Sequence, residues 1–121
     1  MDTKNEQKIG NLKISDEVIA VCAANATLKT KGVAELFGGF TNIIAKNILG
    51  KESLSKGIKT SQTDEGLIID IFVVVDYKVK IPAVAWDIQG NVKEEIETML
   101  EMTVKAVNIN VQGVYIPQEE A

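Results

Sequence analysis

A proline-started helix between two extended segments constrains this chain more than any other feature, and it occupies residues 77–116. A strand runs out at Tyr77, Pro82 opens the helix, and a last strand closes the block. Proline suits the first helical turn because the amide it lacks would have no intrahelical acceptor there. The helix is expected to run to about Met102. Ala85, Ile88, Val92, Ile96 and Met99 recur at helical spacing and form its expected buried stripe. Asp87, Glu94, Glu97 and Glu101 line another face, with Gly90 among them. Trp86 is expected to pack at the helix–sheet junction. In the last strand Val107, Ile109 and Val111 alternate with Asn108, Asn110 and Gln112, so the first set points inward and the second outward. Gly113 is expected to mark a bulge before Val114 and Ile116.

Upstream, Leu67 to Tyr77 alternates in the same way. Ile69, Ile71, Val73, Val75 and Tyr77 form the expected core face, and Asp70, Phe72, Val74 and Asp76 a mixed face. Asp64-Glu65-Gly66 joins this run to Gly57–Thr63, an acidic pair and glycine of the kind that turns a β-hairpin. Near the start, Ile9–Ile14 reads as a short strand. Ser15 then caps a helix to about Leu28, with Asp16 and Glu17 at the positive end of its dipole. Ile19, Cys22, Ala23 and Ala26 share one face of that helix. Lys29 to Gly32 ends it, and Val33–Phe37 reads as a further strand broken by Gly38-Gly39. Phe40–Leu49 is compatible with a short helix carrying Phe40, Ile43, Ile44 and Ile48 on one side, and Gly50–Lys56 with a polar loop. The resulting order is β-α-β-(short α)-β-β-α-β. It implies an α+β two-layer sandwich: a small, mostly antiparallel sheet and two main helices. Residues 9–117 make one domain between tails at 1–8 and 118–121.

A chain of 121 residues buries enough surface for a core without disulfides or metal. With six aromatic residues, that core must be aliphatic. There is no histidine and no arginine, which removes the usual general base, the commonest metal ligand and the bidentate clamp for phosphate or guanine. The single cysteine, Cys22, can form no internal disulfide, which points to a reducing cytoplasm. No apolar run suggests a signal peptide or a membrane span. Charge is uneven. Residues 1–60 hold nine lysines and six acids, a net of +3, and residues 61–121 hold four lysines and eleven acids, a net of −7. The overall −4 argues against general nucleic-acid binding.

Short motifs add little. Ser53-Leu54-Ser55-Lys56 matches a serine acyl-enzyme pattern without its supporting elements. Gly38-Gly39 and Gly50-Lys51 complete no phosphate-binding loop. Cys22 reads as a buried structural thiol. The helical carboxylates are spread too far along one helix to chelate a single ion. No catalytic, cofactor-binding or metal residue is therefore assigned. The interaction candidates are Phe72 and Val74 on the mixed strand face, Asp87, Glu94, Glu97 and Glu101 on the helix, and Phe40 and Ile44 in the glycine-flanked segment.

The chain resembles the alkaline shock protein family of Gram-positive bacteria over roughly residues 10–116. The resemblance is carried by Gly10 with Ile14-Ser15-Asp16-Glu17-Val18-Ile19, by Gly32-Val33-Ala34-Glu35, by Leu54-Ser55-Lys56-Gly57-Ile58-Lys59 and by Ile69-Asp70-Ile71. Its strongest part is Lys80-Ile81-Pro82-Ala83-Val84-Ala85-Trp86 with Gln89, Val92 and Glu97-Thr98-Met99. Val107-Asn108-Ile109-Asn110-Val111-Gln112-Gly113-Val114 completes it. Tyr77-Lys78-Val79 and Met102-Thr103 depart from the Tyr-Gly-Val and Thr-Gly usual in the family. The resemblance implies a small, cytoplasmic, non-enzymatic α+β protein of the cell-envelope stress response, held in some relatives by a membrane-anchoring partner and without cofactors. The charge asymmetry implies a homo-oligomer in which the lysines of 29–59 meet the acids of 87–101 of the next copy, a contact that salt should weaken. The alternatives are a regulatory partner of a lipid-biosynthesis enzyme, or a small RNA-binding module.

Overall fold

A computed structural model describes residues 10–38 and 57–118. Along the chain these form α1 (Asp16–Leu28), β1 (Val33–Leu36), β2 (Ile58–Thr63), β3 (Gly66–Asp76), α2 (Ile81–Met99) and β4 (Val104–Tyr115). The expected short helix at Phe40–Leu49, the loop at Gly50–Lys56, the Ser53-x-x-Lys56 motif and the interaction candidates Phe40 and Ile44 lie outside the described residues, as does the N-terminal tail.

β3 organises the sheet. Leu67, Ile69, Ile71, Val73 and Val75 are buried, and the residues between them are half-buried, the period-2 signature of a strand with one covered face. One edge of β3 is shared. β2 pairs antiparallel with its first half through the hairpin, and β1 pairs antiparallel with its second half. The other edge carries β4 along almost its whole length, in parallel. Parallel neighbours need a crossover, and α2 supplies it between β3 and β4. The fold is thus the expected α+β sandwich, with two of its three strand pairings antiparallel and the longest one parallel.

Gly66 closes the hairpin with a φ of +133°, and a Cβ there would lie 2.9 Å from the Thr103 carbonyl, so only glycine lets β3 start beside β4. Ser15 caps α1 as expected, its Oγ accepting from the Val18 amide at 3.2 Å. The small residues Ala20, Ala23, Ala24 and Ala26 let α1 approach closely, and it packs against α2, β1 and β2. Thr27 in α1 and Thr30 just past its end are buried polar residues. Their hydroxyls donate back to the carbonyls of Ala23 and Ala26, so burial leaves neither unsatisfied.

Four expectations need correction. Gly10–Ile14 forms no strand; Leu12 is 85% exposed and only Ile14 packs on the core. With Leu12 exposed, the segment has no apolar face to hold it against the sheet. Tyr77 is exposed, because β3 ends at Asp76 and Tyr77 begins the turn into α2. The buried stripe of α2 is Val84, Ile88, Val92 and Ile96, a strict four-residue spacing. This rotates Ala85 to a half-buried position and Met99 to an exposed one. Trp86, expected in the core, is 73% exposed. The bulge at Gly113 is present: Val73 pairs with Val111 but Val74 with Gly113, leaving Gln112 as the extra residue.

Candidate interaction surface

Both helices cover the face of the sheet that carries Leu67, Ile69, Ile71, Val73 and Val75. The opposite face carries Ile68, Phe72 and Val74 from β3 and Ala106 from β4, all half-buried. Among the described residues no element is layered over it. Its polar rim is built by register. Lys59 of β2 lies opposite Asp70, and its Nζ sits 5.5 Å above the Phe72 ring. Asn108 of β4 lies beside Asp70 and donates to its carboxylate at 2.7 Å. Asp70 separates Ile68 from Phe72 along β3, so the face is mixed: Phe72 and Val74 lie between Asp70 and Asp76, with Lys59 on the β2 side and Asn108 on the β4 side. Such a patch suits a protein surface, since aromatic and aliphatic groups give contact area and the rim gives orientation.

The four helical acids do not form one surface. Asp87 and Glu94 share a solvent-facing side of α2 two turns apart. Glu94 and Glu95 line a groove of about 540 Å³ between α1 and α2, together with Lys29, Asn91 and Met99. Two side-chain bonds cross this groove: Asn25 donates to Glu95 at 3.2 Å, and Asn91 donates to the Thr30 hydroxyl at 2.9 Å. Glu97 faces β4 instead. Its carboxylate accepts from the Val104 amide at 3.0 Å, and both oxygens accept from Lys93 at 2.9 Å. The backbone hydrogen bond, then the lysine, hold its carboxyl below the ordinary range. Glu97 therefore latches the start of β4 to the end of α2. Glu101 lies past the helix in the left-handed region, at φ +57°.

Cys22 is buried against α2, with its sulfur 3.9 Å from the Met99 sulfur. Burial first, and the Glu95 carboxylate second, push its thiol pKa up. A thiol held protonated is a poor nucleophile. Among the described residues no three metal-ligating side chains converge. No described helix is long and apolar enough to cross a membrane.

The sequence alone does not disclose that α2 caps β4. Gln89 donates to the Val107 carbonyl at 2.9 Å, just as Glu97 accepts from the Val104 amide. Positions 97, 93, 89 and 86 form one stripe at helical spacing along the β4 side. That spacing is legible in the sequence; the strand it faces is not.

The family model for alkaline shock protein 23, described as having a cell envelope-related function, matches residues 4–116. Among curated proteins, YqhY of Bacillus subtilis, an uncharacterized protein, is 34% identical over 106 residues, covering 88% of this chain and 78% of its own. YloU of the same organism, also uncharacterized, is 34% identical over 122 residues, covering 96% and 98%. A Streptococcus pyogenes protein named a stress response regulator gls24 homolog is 26% identical over 102 residues, covering 84% and 57%. No solved structure matches the chain.

Proposed function

The chain belongs to the alkaline shock protein family, a family of cell envelope-related function, and on that premise we propose that it is a non-enzymatic interaction protein of the envelope stress response. It self-associates and docks on a membrane-anchored partner. The observation that carries this reading is the sheet face bearing Ile68, Phe72 and Val74, which neither helix covers. Apolar side chains set among charged and amide groups on an uncovered sheet face suit a recognition surface. The titratable groups nearby supply no nucleophile–base pair: the only thiol is buried, and the chain has no histidine. No described helix is long and apolar enough to cross a membrane, and on this reading membrane attachment belongs to the partner.

Cross-linking in cells followed by affinity capture and mass spectrometry tests this. The wild-type chain is expected to recover further copies of itself together with an integral membrane protein, and Phe72→Glu to lose the membrane protein while keeping its thermal melt. Recovery of a soluble biosynthetic enzyme by both forms would instead favour a regulatory role. That is the second choice, because a Streptococcus pyogenes relative is named a stress response regulator homolog.

A further inference from the structure

β4 is the outer strand of the sheet, and its two halves are treated differently. Leu67 and Tyr77 donate to the carbonyls of Thr103 and Tyr115, so the odd residues of β3 turn their main-chain groups toward β4. The register, with its shifts at Lys105 and Gln112, then turns the main-chain groups of Val104, Val107, Ile109, Val111 and Val114 to the outer edge. α2 closes the first part of that edge: Glu97 accepts from the Val104 amide and Gln89 donates to the Val107 carbonyl. One turn further along the same helical stripe the next side chain is Trp86, which is 73% exposed. Beyond it, no described side chain bonds the outer groups of Ile109, Val111 or Val114. Val114, on the helix-covered face like its register partner Val75, is 43% exposed.

An open strand edge beside an exposed tryptophan is a strand-addition site. We infer that the outer edge of β4 from Ile109 to Val114, with Trp86 as a shelf above it, takes the same strand of a second copy in antiparallel pairing. This rests on the self-association proposed above and names its contact. Two features of the edge select a second copy. Residues 106–116 carry no charge, so β4 meets its own image without placing like charges together, although each chain is net negative. And in an antiparallel pair centred on Val111, with the bulge residue Gln112 unpaired, Val114 of the incoming strand falls opposite Ile109, about where the stripe of α2 brings Trp86. Each tryptophan then covers the other copy's exposed valine. Such a contact is isologous and closes at two copies, unlike a head-to-tail charge contact.

The test is sedimentation velocity of the full chain over a concentration series at low and high salt. Hydrogen exchange is read on the amides of Ile109, Val111 and Val114. The wild type is expected to dimerise with little dependence on salt, with those three amides slowing as concentration rises. Trp86→Ala and Val114→Lys, both at exposed side chains, are expected to weaken the dimer by roughly tenfold or more, the scale of an interface hot spot. Their melting temperatures should stay near that of the wild type. Self-association unchanged in both variants would overturn the strand-edge contact and leave self-association standing. Edge amides that slow only when a membrane extract is added would overturn the second copy as the occupant. A wild-type monomer at every concentration and salt would overturn both the contact and the self-association it rests on.

Discussion

Glu97 shows how one side chain can be read two ways. On the helix alone it belongs to an acidic face open to a basic partner. In the fold its carboxylate is committed to the Val104 amide and Lys93. The bond that matters spans the turn between α2 and β4, and nothing in residue spacing announces it. Glu97→Gln is expected to lower the melting temperature at neutral pH. Because the folded carboxyl is held below its unfolded value, its contribution is fully present above the unfolded carboxylate pKa and is lost as pH falls through the folded one. The difference in melting temperature between Glu97→Gln and wild type should therefore shrink on acidification, which thermal melts across pH would show. Cys22 was legible, since a thiol on an apolar face of alanines has little reason to be exposed. It should react slowly with a thiol reagent in the folded protein and promptly after unfolding, as burial keeps it protonated and covered.

At the scale of elements, the strands and helices with a one-sided pattern were legible and their partners were not. β3 alternates over eleven residues, and that fixes both its existence and its buried face. Its parallel pairing with β4 is not written in either strand; it follows from α2 crossing between them. The segment before α1 alternates too, but its apolar residues are few and Leu12 stays exposed, so it remains irregular. α2 is held by Val84, Ile88, Val92 and Ile96. Truncating Ile88, which is fully buried, to alanine should cost about 2–5 kcal/mol in a denaturant titration. The end of α2 offers the opposite change. Glu101 occupies a left-handed conformation that favours glycine, so Glu101→Gly should stabilise the protein by roughly 1 kcal/mol in the same titration.

For the whole molecule, the sequence carried the architecture and the family, because the block from Lys80 to Val114 supplies both the crossover helix and the last strand. It also placed Phe72 and Val74 on the face opposite the core, which alternation alone decides. What it could not carry was Trp86. An aromatic residue near a helix start is ordinarily packed, and only the rotation of α2 that buries Val84 in place of Ala85 leaves the indole outside. The uneven charge distribution places Lys29 and Glu94 around one groove of the same chain. Any association through charges should fade as salt rises, whereas one through the β4 edge should persist.

Self-association is the claim on which the rest depends, and static light scattering of the full chain tests it most directly. At low salt the expected mass is well above the 13.2 kDa of a single chain, falling toward it only on dilution. A mass of one chain at every concentration, at low salt, would contradict it.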